Sequence, residues 1–456
     1  MPIYLLCLAV FWAATRHATS GIHRQGIWDP IVLYRRVLLA ISLLWLLPLS
    51  QRDPAIQYWW FTFYFLAAGA SILGWTLGSR IKFTRVNIGL SALQSGRLFF
   101  LFALPFILLY LGTGQFFVDV SRLLSSSVSE IRAEHWESFG AATALDALVY
   151  LASYVAIPFA LSWSVMRSRS LAYFGSLLAF CLIMVLALSD ASRTAIIFYS
   201  FVVILASLQK HSGSVAGNIQ RNYLMFSVFI ILSAVGLYYF LYVYFIERVP
   251  DLADRFPYYY RNIAGEFPSA FLLNLSDRSG GVAGIIAASA SYFSSTLTFF
   301  ERFMREHESC RCLYAFGAYN FSILDLFGLT DWISVRAGIT EFWSLRGPST
   351  NPWASSYRDW FIDFGSLGAP VFGFAMFALL GGVWRMAANR SDGLGQFAAT
   401  YICAFIMVVP LLSPLFMHGF SIPLYIIVFF VVCSRPSAVA SSSNSVLATL
   451  KERHDA

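Results

Sequence analysis

The chain has 456 residues, 58% of them hydrophobic and only 12% charged, with a formal net charge of +7. Soluble domains carry about a quarter charged residues, and surface-to-volume scaling prevents one core from burying this much apolar side chain, so a soluble protein is excluded. The basic residues fall in small groups beside apolar blocks, which argues against a nucleic-acid stripe.

A transmembrane helix needs roughly 20 apolar residues to cross about 30 Å of hydrocarbon, fewer when flanking side chains snorkel. In chain order, such blocks lie near Pro2 to Thr15, Val32 to Leu49, Ala55 to Gly78, Leu98 to Gly114, Leu145 to Met166, Leu171 to Leu188, Ala195 to Leu208, Tyr223 to Ile246, Trp360 to Trp384, Gln396 to Pro414 and Phe420 to Cys433. They predict an all-α integral membrane protein, a polytopic bundle of about eleven transmembrane helices. The first block is short enough to read as a signal anchor. No A-x-A-like cleavage site follows it, so it is kept as a span.

Four segments follow. Residues 1–246 form an amino-terminal bundle of about eight spans, 247–358 one large hydrophilic loop, 359–434 about three further spans, and 435–456 a serine-rich tail expected to be disordered. Of the basic residues outside the large loop, 17 fall in the connections from Arg16 to Arg36, Arg80 to Arg97, Arg167 to Arg169, Lys210 to Arg221, Arg385 to Arg390 and the tail. Only Arg52, Arg122, Arg132 and Arg193 fall in the alternate connections. The positive-inside rule therefore puts the amino terminus and the large loop outside and the carboxyl terminus in the cytoplasm.

Within the large loop, Gly284 to Phe300 and Leu313 to Leu329 are apolar enough to question. One crossing alone would invert every later basic connection, so either neither crosses or both do, giving thirteen spans. Ser289, Ser291, Ser294, Ser295, Thr296 and Thr298 make the first polar, and Asp325 interrupts the second. Re-entrant or surface-lying helices are the expectation.

Cys7, Cys181, Cys403 and Cys433 sit in apolar blocks as packing residues, and Cys310 and Cys312 have no accompanying metal spacing. There is no G-x-x-x-x-G-K-S/T, H-E-x-x-H, G-x-S-x-G or D-x-D. Phosphate-loop pumps, zinc proteases, serine hydrolases and metal-held nucleotide sugars are thus disfavoured, and no cofactor or metal is expected.

Two stretches can carry chemistry. Ser189-Asp190-Ala191-Ser192-Arg193-Thr194 is a short outer hairpin whose arginine can fork onto phosphate beside the free N–H groups of the next helix. The alternative is an arginine snorkelling to the interface or paired with Asp190. The second runs from Arg346 through Thr350-Asn351 and Tyr357-Arg358-Asp359 to Asp363-Phe364-Gly365-Ser366-Leu367-Gly368. Asp359 and Asp363, four apart, share a helix face, and Asp363 needs a partner such as Arg358 or Arg346 because an intramembrane carboxylate is costly.

In these features the chain resembles the oligosaccharide repeat-unit polymerases of bacterial surface polysaccharides, including O-antigen polymerases of the Wzy type. The shared layout is an apolar amino-terminal half, a short S-x-R-like hairpin (here Ser192-Arg193, with Ser directly before Arg), one large outer loop, and Thr-Asn leading into D-F-G-x-x-G. The resemblance covers essentially the whole chain. It implies a GT-C-like membrane enzyme of the bacterial inner membrane, acting without metal on undecaprenyl-diphosphate-linked glycans, with a flippase and a chain-length regulator as partners and no nucleic acid. It assigns diphosphate and substrate binding to Arg193, Arg346 and Arg358, with Arg261 beside Tyr258 to Tyr260, Arg132 and Tyr357. His418 and Asp363 are the catalytic candidates, His418 because it sits at an outer span end and titrates near neutrality. Rival readings are a ligase of the same superfamily and a flippase or other transporter, the latter calling for charges buried along several spans.

Overall fold

A computed structural model of the chain describes residues 1–20, 30–81, 90–91, 256–258, 260–261, 264–279, 281–308, 355–390, 393–415 and 418–435, with isolated positions between 108 and 202. The predicted spans from Leu145 to Met166, Leu171 to Leu188 and Tyr223 to Ile246 lie outside the described residues, as do nearly all of Leu98 to Gly114 and Ala195 to Leu208, the stretch Leu313 to Leu329 and the tail beyond Arg435.

Among the described residues the chain is mostly helical. The elements are α1 (Pro2–Ser20), α2 (Pro30–Leu46), α3 (Trp60–Gly78), β1 (Leu90–Ser91), α4 (Ala270–Arg278), α5 (Val282–Glu308), α6 (Ser355–Ala388), α7 (Gly393–Val408), α8 (His418–Cys433) and β2 (Ser434–Arg435). By length and composition α3 and α6 can each cross a membrane, and a third crossing is available if the two parts of α5 count as one. With the shorter apolar helices Pro2–Arg16, Phe397–Val408 and Pro423–Cys433, they make this a helical, membrane-associated protein.

The helices begin where local chemistry lets them. α2 starts at Pro30, whose missing N–H costs nothing in a first turn, so Arg35 and Arg36 lie within the helix and not in the connection before it. The Arg35 guanidinium sits 4.4 Å above the Trp12 ring, an arrangement that lets a charge stay near a helix end in apolar surroundings. α3 starts at Trp60, five residues later than its apolar block. Before it, the Asp53 side chain accepts the Ala55 N–H at 2.8 Å, a local turn that competes with helix.

α3 and α6 run side by side and parallel. Gly74 and Gly78 lie against the backbone carbonyls of Phe374 and Ala378, and a Cβ on Gly381 would meet the Trp75 carbonyl oxygen at 2.8 Å. Apolar helices in lipid gain nothing from expelling water, so small residues that let backbones touch supply the attraction through dispersion. At the far end, Arg385 donates to the carbonyls of Ser79 at 2.9 Å and Arg80 at 2.8 Å, satisfying groups that the end of α3 leaves open.

The bundle thus has a Ser79 end and a Ser50 end. Near the first, β1 follows α3 and pairs in parallel with β2, which directly follows α8. At the second, Gln51 N donates to the Phe267 carbonyl at 2.7 Å and Ser50 bridges to Pro268. α5 bends by 54° between Ala288 and Phe293. Tyr260 ties Ser291 to Ser50, Thr298 bonds Trp45, Glu301 accepts from the Gln57 N–H and Arg305 pairs with Asp53. The fifteen residues from Ser291 to Arg305, about 21 Å of helix, therefore stay at the Ser50 end.

Candidate functional site

Two polar constellations meet near the Ser50 end, one on each side of α5. The first is built on the opening turns of α6. Ser355 has φ of 68°, a left-handed conformation that a serine rarely adopts, and its buried hydroxyl has no hydrogen-bond partner among the described residues. Ser356 then straps the helix start to the α7–α8 corner, its N–H on the Val409 carbonyl at 3.1 Å and its hydroxyl on the Leu412 carbonyl at 2.8 Å. Tyr357 is fully buried with its hydroxyl on Tyr34, and its ring meets Tyr64 edge-on at 4.7 Å.

Arg358 and Asp359 form a buried ion pair with Nε to Oδ1 at 2.7 Å, and Ser413 of the same corner donates to Asp359. Asp363 is completely buried one turn further on. Two residues later Gly365 breaks the helix with φ 72° and ψ −172°, a region that only glycine occupies without a large penalty. The predicted span from Trp360 is therefore two pieces. A buried opening segment carries both aspartates, and the membrane-length segment follows Gly365.

His418 is the first residue of α8, three positions after the corner ends at Leu415. Beside it Phe198 stacks on Phe420 at 4.2 Å and meets Tyr401 at 5.3 Å. Arg132, Arg193 and Arg346 lie outside the described residues. The structure thus brings Tyr357, Arg358, Asp359 and Asp363 into one buried entry against the corner leading to His418, and sets Arg261 apart from them.

The second constellation is a narrow cleft lined by Trp45, Ser50, Arg52, Ala264, Glu266 and the hydroxyl face of α5, with room for about one water molecule. Glu266 reaches it because Gly265, at φ 77°, turns the chain there, and a Cβ on Gly265 would press on Thr298 and Phe299 at 3.2 Å. Its Oε1 accepts the Asp53 N–H at 3.4 Å, and among the described residues no cation pairs with it. Burial pushes the Glu266 carboxyl up to about 7, against the opposing pull of the Asp53 amide, Arg52 and Arg302. Asp53, more open, is held below its usual range by the Ala55 N–H and then by Arg305 at 3.0 Å.

Arg52 lies 3.9 Å above the Trp45 ring and donates through one amino group to the Trp45 carbonyl, while its other amino group, Nη1, is buried without a partner among the described residues. On the adjoining surface Arg261 is exposed over the Phe267 ring at 4.7 Å, and Tyr258 packs edge-on to the same ring. Tyr260, by contrast, points inward to Ser291 at 2.6 Å and Ser50 at 2.9 Å.

The sequence shows the α5 hydroxyls only as a polar stretch and Arg52 only as a loop charge, and it does not single out Glu266, because no periodicity marks them as one lining. The available signal was Gly265-Glu266-Phe267-Pro268, an acid flanked by turn formers beside a serine-rich helix. Compared with known proteins, the chain matches no family model, no curated protein and no solved structure.

Proposed function

We propose that the chain is an oligosaccharide repeat-unit polymerase, a metal-independent glycosyltransferase of GT-C-like architecture in a bacterial inner membrane. It has eleven spans, with the amino terminus and the Ser50 end periplasmic and the carboxyl terminus cytoplasmic. It joins undecaprenyl-diphosphate-linked repeat units into a surface polysaccharide, alongside a flippase and a chain-length regulator.

The reaction needs cations for the departing diphosphate and a proton acceptor for the attacking hydroxyl. Arg193 grips the diphosphate with Arg346 and Arg358, and Arg261, Arg132 and Tyr357 contribute to binding. The acceptor oxygen bonds to the anomeric carbon as the bond to diphosphate breaks, the lipid diphosphate leaves with the electron pair, and the proton passes to His418 or Asp363.

The observation that carries this reading is the break at Gly365, directly after Asp363-Phe364 and beside a buried Arg358–Asp359 pair. Non-helical backbone and buried charge inside an apolar bundle are costly, and they persist where they line a substrate site. Two further observations support it. The parallel α3 and α6, with β1 and β2 paired beyond α3 and α8, agree with a topology that sends all three helices the same way. Phe198, five residues past Arg193, packs on the first turn of α8, and five residues of chain reach at most about 18 Å.

The test is reconstitution of the purified protein with a lipid-diphosphate-linked repeat unit. Polymer should form without added metal or nucleotide. Arg193→Ala should abolish chain extension while leaving the protein in the membrane, and normal long polysaccharide in that variant removes the assignment. Lipid-linked sugar crossing the bilayer without any polymer would make the protein a transporter.

A further inference from the structure

α5 presents two chemically different sides only two residues apart. The Thr296 hydroxyl donates to the Pro410 carbonyl at 3.2 Å, on the corner that also holds Asp359. Two positions on, more than half a helical turn around, Thr298 joins Ser291, Ser294 and Ser295 in the lining of the Glu266 cleft. One helix thus separates the α6 entry from the cleft by about its own diameter, roughly 10 Å.

The cleft mixes donors and acceptors: four hydroxyls of α5, the Ser50 hydroxyl and, among the described residues, a carboxyl without a paired cation and Arg52 Nη1 buried without a partner. A buried donor left unmade is costly, and an incoming oxygen satisfies it. The space suits a single small polar group, not a whole sugar ring. Phe267 and Tyr258, next along the chain and partly or largely exposed, offer ring faces on which a sugar can lie. The charged groups around Glu266 are Arg52, Asp53 and Arg302, with Glu301 and Arg305 in the same network, so both signs are present and a neutral ligand fits best.

We propose that this cleft is a glycan-binding subsite that takes a hydroxyl or hydroxymethyl group of a neutral sugar in the acceptor repeat unit. The inference rests on the polymerase reading for the source of the glycan. It makes Glu266 and Arg52 the groups that read the acceptor about one helix width from the reacting bond, and a site built on buried hydrogen bonds rejects a sugar lacking that hydroxyl.

The experiment uses the repeat-unit oligosaccharide of the host cell, cleaved from its lipid diphosphate, and the full-length protein in detergent, with binding followed by saturation-transfer NMR. The wild type should bind, and Glu266→Gln, which keeps an acceptor for the Asp53 amide, should bind about fivefold more weakly or worse. Ser294→Val, which fills the cleft from its wall, should do the same and carries the test if Glu266→Gln does not yield monodisperse protein. No binding by the wild type, or undiminished binding by a folded cleft variant, overturns the subsite. Polymer formation by the wild type is scored separately, so a polymerase without this subsite and a glycan-binding protein that does not polymerise give different results.

Discussion

The α3–α6 seam and the Glu266 cleft occupy one bundle yet follow opposite rules. Along the seam, Gly74, Gly78 and Gly381 remove side chains altogether so that backbone meets backbone. In the cleft, Ser291, Ser294, Ser295 and Thr298 add hydroxyls to a helix that lipid would reject if they faced outward. The seam tolerates no added atom, whereas the cleft keeps space and a donor unmatched among the described residues. Close packing belongs to architecture here, and incomplete satisfaction belongs to recognition.

Three substitutions separate the two regimes. The largest effect is expected from Gly74→Leu, which drives a side chain into the Phe374 backbone. It should cost about 3 kcal/mol or more and remove most folded protein, read as lost monodispersity in detergent. Near-normal yield would mean that α3 and α6 do not meet as described. Next, Gly365→Ala should cost about 1–3 kcal/mol by forcing a Cβ into a glycine-only conformation. A melting temperature equal to the wild type's would show that α6 runs on unbroken.

The smallest effect is a pH dependence. The Glu266 carboxyl, raised from an ordinary 4.5 to about 7, is bound to its proton more tightly in the folded protein than in the unfolded chain. Its contribution to stability is fully present below about 4.5 and is lost as pH rises through about 7. Thermal unfolding of the wild type should shift down across that window by on the order of 1 kcal/mol, and Glu266→Gln should flatten the change. A profile that keeps its slope in the variant would assign the titration to another group.

Much of the seam was legible in the amino-acid sequence. The blocks at Ala55 to Gly78 and Trp360 to Trp384 announce themselves because lipid demands uninterrupted apolar length. Their boundaries moved where side chains intervene, as when Asp53 folds back on Ala55 and delays α3 to Trp60. The aspartates of the α6 entry were visible for the same reason, since charge inside an apolar block stands out. Their separation from the main span by Gly365 was not, because a glycine in an apolar helix reads identically whether it packs or bends. Glu266 was least legible. An acid in a hydrophilic loop is unremarkable until Gly265 and α5 fold over it, and burial from distant residues leaves no local mark.

The pairing of α3 with α6 also sets a problem of timing. α3 leaves the ribosome long before Ser355 is made, and at roughly 5–20 residues per second the interval is about 15 to 55 s. For that time the groove of Gly74 and Gly78 must rest against lipid chains or a neighbour that later gives way. Arg385, reaching back to the carbonyls of Ser79 and Arg80, fastens the two helices only once α6 has entered along its whole length. Assembly of this protein is therefore post-insertional, and the glycines that make the seam tight are what leave α3 provisional until Phe374 and Ala378 have been made.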